Sequence, residues 1–305
     1  MPEIIVTDSE NEQRLDVFLA SQLELSRSQI QKLIKAGEVT LSGESVRPNA
    51  RLETGSVIFY PEDEMLVPVK SSPAPMLDVL FQDDSVLVIN KPAGLIVHQA
   101  TPHDTDPTVV DALLELHPEI SDIGEDPTRP GIVHRLDKDV SGVMVIAKTQ
   151  EAFGELKKQF QNRTVEKEYI ALVYGSLPED HGIIDLKIAR SKARGRMVAR
   201  PESQEGKESK TEYTVIERLP STTHVRVRIH TGRTHQIRVH FHALGHPLVG
   251  DKLYKMRKMK FKPIELDRIF LHARRLGITL PGGERKIFET PLPSELQTLL
   301  RKLHS

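Results

Sequence analysis

The stretch GIVHRLDKDVSGVMVIAKT, residues 131–149, places a dense group of polar side chains between two apolar segments. The second segment, Val143 to Ala147, is rich in β-branched residues and predicts an interior strand. The first, Ile132 and Val133, predicts a shorter buried strand, and Gly142 favours a bend. The polar residues between them are His134, Arg135, Asp137, Lys138, Asp139 and Ser141.

Charged side chains held between two buried strands are candidates for catalysis, because a rigid support fixes their positions. Burying so many charges together is costly unless they pair with one another or act on a substrate. A structural ion-pair cluster at a strand end has the same pattern, so both interpretations are open for this stretch taken alone.

The sequence motifs of this stretch and of four others resemble those of the RluA-type pseudouridine synthases, which isomerise uridine in RNA. HRLDKD followed by Ser-Gly is similar to the family signature. Four further segments occur in the same order as in the family. One precedes the signature, NKPAGLIVHQA from Asn90, and three come after it: EKEYIALVYG from Glu166, TGRTHQIRVHFHALGHPLVGDKLY from Thr231 and LHA from Leu271. The one departure is Val140, where the family more often has threonine. The resemblance covers roughly residues 75 to 300.

Residues 12–60 predict a separate small domain. RLDVFL from Arg14 and SRSQIQKLIKAGEV from Ser26 have the apolar spacing of two short helices, the second with a capping box at Ser26 and Gln29 and ended by Gly37. Short strands follow. The pattern resembles the alpha-L RNA-binding domain of a small-subunit ribosomal protein, which implies that basic residues of the second helix contact RNA. These are Arg27, Lys32 and Lys35, although basic residues on a short helix are also typical of a solvated face.

Residues 61–75, with four prolines and two serines, predict a linker. From residue 76 to 305, predicted strands outnumber helices and adjoin one another, which indicates an α+β catalytic domain with a mixed, largely antiparallel sheet. In the segment 225–230, apolar and basic residues alternate, so we expect Val225, Val227 and Ile229 in the core.

The resemblance implies the roles of five residues. Asp137 matches the catalytic aspartate, Arg233 the cation that pairs with it, and Tyr169 the tyrosine against the target base. Leu271 matches an apolar residue near that base, and Arg135 an arginine that enters the vacated base stack. Geometry alone leaves Asp139 as an alternative to Asp137, because residues two apart on an extended segment share a face. The alternatives are a core tyrosine for Tyr169, a core leucine for Leu271 and an ordinary surface arginine for Arg233. For Arg135 the alternative is a salt bridge to Asp139 or to another neighbour. The carboxylate could add to C1′ or remove the 2′ proton, and both routes are open.

Residues 161–305 hold 28 Lys and Arg against 16 Asp and Glu, a balance of +12 beside acidic segments, which indicates a polyanionic partner on one side. Two basic segments could hold RNA phosphates, and we expect both to be arms or loops. Lys187–Arg200 contributes Arg194 and Arg196, and Lys252–Lys262 contributes Lys255 and Lys258.

Isomerisation of uridine needs no redox cofactor, nucleotide or metal, and we expect none. The chain has no cysteine, which excludes disulfides and thiol catalysis. The histidines His235, His240, His242 and His246 have no standard metal-ligand spacing, so we expect them to cap a helix or pack around Asp137.

The leading hypothesis is a pseudouridine synthase acting on large-subunit ribosomal RNA. The alternatives are a tRNA-directed synthase, a non-catalytic RNA-binding or ribosome-assembly factor, and a metal-dependent nuclease or phosphoesterase. No apolar run approaches the ~20 residues of a membrane span, and the acidic start MPEIIVTDSE lacks features of a signal peptide. We therefore expect a cytoplasmic protein. We also expect it to be a monomer.

Overall fold

The fold is described by a computed structural model covering residues 2–23, 27–61, 74–99, 106–191, 195–256 and 262–304. The chain divides into two compact units. The first comprises Met1–Pro73 with Gln99–Pro107, and the second comprises Ala74–His98 with Thr108–Ser305. Most of the predicted linker, including residues 62–73, lies outside the described residues.

The first unit packs two helices, α1 (Leu15–Gln22) and α2 (Arg27–Ala36), with a four-stranded sheet. The strands are β1 (Glu3–Ile5), β2 (Thr40–Leu41), β3 (Glu44–Ser45) and β4 (Val57–Phe59), in the order β1-β4-β2-β3. The helices bury the predicted apolar positions, among them Leu15, Leu19 and Ile30 at 0% exposure. Gly37 has φ +79° and directly follows α2, so the predicted helix end is confirmed. Ser26 of the predicted capping box lies outside the described residues.

The second unit is built on a nine-stranded sheet. Its strands are β5 (Asp78–Gln82), β6 (Val86–Lys91), β7 (Ser141–Ala147), β8 (Glu166–Tyr174), β9 (His181–Asp185), β12 (Lys210–Leu219), β13 (Thr222–Ile229), β14 (Leu271–Thr279) and β15 (Arg285–Glu289). The order is β5-β6-β7-β14-β8-β13-β12-β9, and β15 also pairs with β14. Pairing is antiparallel except between β7 and β14. The predicted α+β class with a mixed, largely antiparallel sheet is confirmed.

The helices of this unit are α3 (Val109–Leu116), α4 (Gln150–Gln161), α5 (Gln236–Ala243) and α6 (Ser294–His304), with a 3-10 turn at Pro118–Asp122. The α3 and α4 helices pack with opposite side-chain sets of β6 and β7. Val143 and Val145 lie in one apolar cluster with α4, whereas Met144 and Ile146 lie in another with α3. The apolar run of β7 therefore reflects a strand whose two faces are both buried.

Two local predictions need correction. Ile132 forms a single bridge with Ile146 rather than a strand, so residues 134–139 form a loop that leads into β7. The basic segment Lys187–Arg200 is not a plain loop, because β10 (Lys187–Arg190) and β11 (Met197–Arg200) form a two-stranded hairpin. The alternation in β13 is confirmed, with Val225 and Val227 at 0% exposure and Arg226 and Arg228 exposed.

Gly142 allows β7 to approach β14 at the end of this loop. Its φ is +124°, and a Cβ atom there would lie 2.1 Å from the backbone oxygen of Ala273. No other residue fits this contact without moving one strand. The loop at 134–139 is therefore fixed at its C-terminal end by a backbone contact between two central strands.

Candidate active site

Asp137 lies in the loop before β7, and the buried Lys91 is hydrogen-bonded to that loop. The amide of Val140 donates to the carbonyl of Asp137 (3.1 Å), which forms a turn. The carbonyl of Lys138 accepts from the amide of Gly94 (2.8 Å) and from Nζ of Lys91 (3.2 Å). Lys91 has 0% exposure and also donates to the carbonyls of Pro92 and Leu95, at 2.8 and 2.7 Å.

The NKPAG segment thus holds the aspartate loop in place through Lys91. Burial, followed by the charge of Arg268, lowers the pKa of Lys91 to about 7, although Asp137 and Asp139 oppose that shift. A lysine with its three hydrogen bonds directed to carbonyls acts as a cross-link between two loops.

The turn at Asp137 separates it from Asp139. Asp137 lines a cavity of about 100 Å³ with Tyr169, Arg233, Arg238 and Leu271. Asp139 lies instead on the wall of a different cavity, with Lys91 and Arg268. The two carboxylates therefore do not share a face as they would on an extended segment.

The cation beside Asp137 is Arg238, so the prediction that Arg233 pairs with this aspartate is wrong. One terminal nitrogen of Arg238 donates to Oδ2 of Asp137 at 2.9 Å. Arg233 lines the same cavity, but its Nε donates to the carbonyl of Glu208 at 3.2 Å. The physical reason is their position: Arg238 lies inside α5, whose first turn faces Asp137, while Arg233 precedes that helix.

Arg238 is itself held by a fully buried acid, Asp251. Its Nε and its other terminal nitrogen donate to the two oxygens of Asp251, at 2.8 and 3.1 Å, in the bidentate geometry that guanidinium groups favour. The amides of Leu253 and Tyr254 donate to Asp251 as well. Burial alone would raise the pKa of Asp251, but these hydrogen bonds and the charge of Arg238 lower it.

The tyrosine and leucine predicted near the base lie beside Asp137. Tyr169 on β8 and Leu271 on β14 are 8% and 4% exposed and line the same cavity. Burial, and next the charge of Asp137, raise the pKa of the Tyr169 phenol, which keeps it neutral. A neutral phenol offers an aromatic face and a proton donor or acceptor close to the carboxylate.

Of the four histidines His235, His240, His242 and His246, the first lies beside Asp137, and the last two bond with the carbonyls of Lys255 and Tyr174. His235 is the N-cap of α5; its Nδ1 is hydrogen-bonded to the Tyr254 hydroxyl (2.9 Å), and its Nε2 is 3.9 Å from Asp137. His240 bonds with Thr211 and with the carbonyl of Leu186. The described residues contain no group of three or more His, Asp or Glu arranged to hold a metal ion.

Comparisons of sequence and structure show the family of the chain. A model of the RNA pseudouridylate synthase family matches residues 85–243, more than half of the chain. This chain belongs to that family. As a member it is an isomerase that converts uridine in RNA to pseudouridine. Residues 13–58 match the S4 domain, so the enzyme carries this RNA-binding domain ahead of the family match.

The enzyme is 40% identical to an RNA pseudouridine synthase of Bacillus subtilis, over 99% of both chains. It is 39% identical to ribosomal large subunit pseudouridine synthase D of Pseudomonas aeruginosa, over 95% of this chain and 92% of that one. Among solved structures it resembles human RNA pseudouridylate synthase domain containing 4, with a TM-score of 0.58 and 26% identity, covering 74% of this chain and 93% of the human one.

The predicted RNA contacts of the enzyme are only partly described. Lys35 and Lys255 are exposed. Arg196 is half-buried, with its guanidinium 5.1 Å from the ring centre of Tyr254. Arg135 is exposed and bonds with His98 at 3.3 Å rather than with Asp139. Arg194, Lys258 and the side chains of Arg27 and Lys32 lie outside the described residues.

Sequence reasoning missed three supporting residues: Lys91, Arg238 and Asp251. The available signal was the position of Arg238 among Ile237, Val239 and Phe241, in a helix with apolar neighbours on both sides. A charge in such a run is expected to be buried and therefore to need an acid.

The described residues also contain no helix long and apolar enough to cross a membrane.

Proposed function

We propose that the enzyme modifies uridine in large-subunit ribosomal RNA, with Asp137 as its catalytic carboxylate. The observation that carries this proposal is the small cavity in which Asp137 meets Arg238, Tyr169 and Leu271. Similarity to large-subunit synthases of Pseudomonas aeruginosa and of Nitrosomonas europaea, the latter 37% identical, supports ribosomal RNA as the target. Such a substrate places the enzyme in the cytoplasm.

Asp137 is suited to act on the ribose because it lies 2.9 Å from the guanidinium of Arg238, which Asp251 holds in place. Arg238 donates to only one oxygen of Asp137, so the other oxygen is available to a substrate. That oxygen can add to C1′ or take the 2′ proton while the N1 bond of the uracil breaks. The base then turns and C5 bonds to C1′, which breaks the Asp137–C1′ bond or, on the other route, returns the proton to C2′. C5 loses its proton and N1 gains one, so the reaction uses no oxidant and releases no group.

Tyr169 and Leu271 form the surface against which the base turns. The ring of Tyr169 provides a stacking face, and its hydroxyl can relay the proton that leaves C5 by giving up its own proton as it takes that one. Leu271 excludes water from the same space, which protects the separated sugar and base from hydrolysis.

The target nucleotide has to leave the RNA stack to reach this cavity. Arg135 is the exposed cation at its rim, and it shares both this cavity and a larger neighbouring one. We propose that its guanidinium occupies the space that the extruded base leaves, where it can stack on the neighbouring bases.

Pseudouridine mapping in cells with and without this gene tests the target. We expect one or more sites in large-subunit ribosomal RNA to be lost with the gene and restored by the wild-type enzyme. Loss of sites in tRNA alone would contradict the ribosomal target and leave the isomerase activity intact.

A further inference from the structure

A second cavity of about 580 Å³ adjoins the one that contains Asp137. Tyr169, Gly232 and Arg233 line both cavities, so a ligand in the larger one would be next to the reacting nucleotide. Lys167 lies two residues before Tyr169 on β8, where side chains of the same strand share a face, and it lines the larger cavity.

Lys167 is a buried cation without an anion. It is 7% exposed, and within the described parts of the chain no carboxylate lies within ion-pair distance of its ammonium and no group is hydrogen-bonded to that ammonium. Its contact is the ring of Phe160, with Nζ 5.7 Å from the ring centre. Burial and the charges of Arg163 and Arg233 lower its pKa to about 8, and the ammonium is accessible from the cavity that Lys167 lines.

Glu208 holds the two arginines close to Lys167. Its backbone oxygen accepts from Nε of Arg233 at 3.2 Å, and its carboxylate is 3.7 Å from Arg163. That carboxylate is 77% exposed, so water screens most of its charge. Arg163 also has a left-handed backbone (φ +60°), which glycine or asparagine adopts more readily than arginine.

Two other cations of the cavity wall are matched by acids, whereas the exposed Arg135 at the rim is bonded to His98 and not to an acid. Lys157 pairs with Glu125, and Arg129 is 3.0 Å from Asp126. Apart from Arg135 at the rim, the excess positive charge of the wall is therefore carried by Lys167, Arg163 and Arg233.

We propose that Lys167, Arg163 and Arg233 form an anion subsite that binds a backbone phosphate of the RNA next to the target uridine. Guanidinium and ammonium groups are the usual donors to phosphate oxygens, and a partly desolvated site strengthens such hydrogen bonds. The proposal rests on the proposed function, because the phosphate belongs to the RNA strand whose uridine enters the Asp137 cavity. It also gives Arg233 a role in holding substrate, in place of pairing with Asp137.

The first test compares Lys167→Met, Lys167→Arg and a matched control, Lys286→Met. Lys286 also lies over a phenylalanine ring, 3.8 Å from the centre of Phe81, but does not line this cavity. The probe is an RNA hairpin containing the uridine identified by mapping. We expect Lys167→Met to bind it about tenfold more weakly, with the slope of log Kd against log salt reduced by about 0.7 to 0.9. Lys167→Arg should retain most of the affinity, and Lys286→Met should match the wild type.

A phosphate scan on the wild-type enzyme tests the subsite even if Lys167→Met does not fold. Each linkage within two nucleotides of the uridine is replaced in turn by a neutral methylphosphonate. One replacement should weaken wild-type binding about tenfold and have little further effect on Lys167→Met, since the lost contact is the same one.

The outcomes separate this proposal from the proposed function. Wild-type enzyme that forms pseudouridine while every neutral linkage and Lys167→Met leave affinity and salt slope unchanged would overturn the subsite alone. Wild-type enzyme that forms no pseudouridine in the mapped RNA would contradict the function, whatever Lys167 binds. Competition by inorganic phosphate without any effect of neutral linkages would identify a free-phosphate site and contradict the backbone assignment.

Discussion

Replacing Arg238 with methionine should destabilise the enzyme strongly, because Arg238 is the ion-pair partner of the buried carboxylate of Asp251. The Asp251 side chain is 0% exposed and the Arg238 side chain is 9% exposed. Removing one partner of a buried ion pair typically costs about 3–5 kcal/mol, since the other charge is left unpaired. We therefore expect Arg238→Met to lose about that amount of unfolding free energy at pH 7, measured by urea denaturation.

A second substitution separates the effect of the buried Asp251 charge from the effect of the contact between Arg238 and Asp137. Asp251→Asn in the Arg238→Met background removes the unpaired charge, so it should recover at least about 1.5 kcal/mol of stability. It should not restore activity, because Asp137 still lacks the guanidinium now 2.9 Å from its Oδ2. We expect single-turnover pseudouridine formation by the double variant to remain about 100-fold or more below the wild type.

Arg275→Met is the matched control, because Arg275 also faces two carboxylates, Glu166 and Glu289. These lie at 3.6 and 3.5 Å, and the arginine is 30% exposed, so we expect a loss below about 1 kcal/mol. The account of Arg238 is refuted if Arg238→Met costs no more than this control, or if the double variant is as unstable as the single one.

Three further predictions concern the supports of the site. Lys91→Met removes the ammonium that holds the carbonyl of Lys138, so turnover at saturating RNA should fall at least about tenfold while RNA affinity is unchanged, and equal loss of both would contradict a positioning role. Gly142→Ala should cost more than about 2 kcal/mol in urea denaturation because its Cβ would meet the Ala273 oxygen at 2.1 Å, whereas Gly154→Ala in α4, with nothing within 4 Å, should be neutral or stabilising. His134 accepts a hydrogen bond from the amide of Val145 at Nε2 (3.0 Å), and burial, then the charge of Lys167, lower its pKa from 6.5 to about 3. Below pH 6.5 the unfolded chain therefore binds a proton that the folded enzyme does not. The free energy of unfolding should decrease as the pH is lowered, by up to about 1.4 kcal/mol per pH unit. Urea denaturation at pH 7 and pH 5 checks this, and His134→Gln with an undiminished pH dependence would contradict it.

The sequence predicted what depends on burial and periodicity. The run in β7 was recognised as an interior strand because both of its faces pack on apolar side chains. The alternation in β13 was recognised because one face of that strand is in solvent. The hairpin of β10 and β11 was missed, because its residues are mostly half-buried on both faces and leave no alternating pattern.

The partners of charged residues could not be predicted in the same way. Arg238 and Asp251 are thirteen residues apart and meet only because the chain turns back after α5. Asp137 and Asp139 were equivalent candidates on an extended segment, and it is the turn between Asp137 and Val140 that separates them. Such contacts depend on tertiary geometry, so the family resemblance suggested Asp137 and Tyr169 correctly as neighbours but assigned the pairing arginine incorrectly.

The most direct test of the account is the Asp137→Asn variant, assayed on the mapped ribosomal RNA. Asparagine keeps the size of the side chain and removes its charge, while Asp139→Asn, on the wall of another cavity, serves as the matched control. We predict that Asp137→Asn binds the RNA and forms no pseudouridine, and that Asp139→Asn retains activity. Pseudouridine formation by Asp137→Asn at a rate near that of the wild type would contradict the central claim.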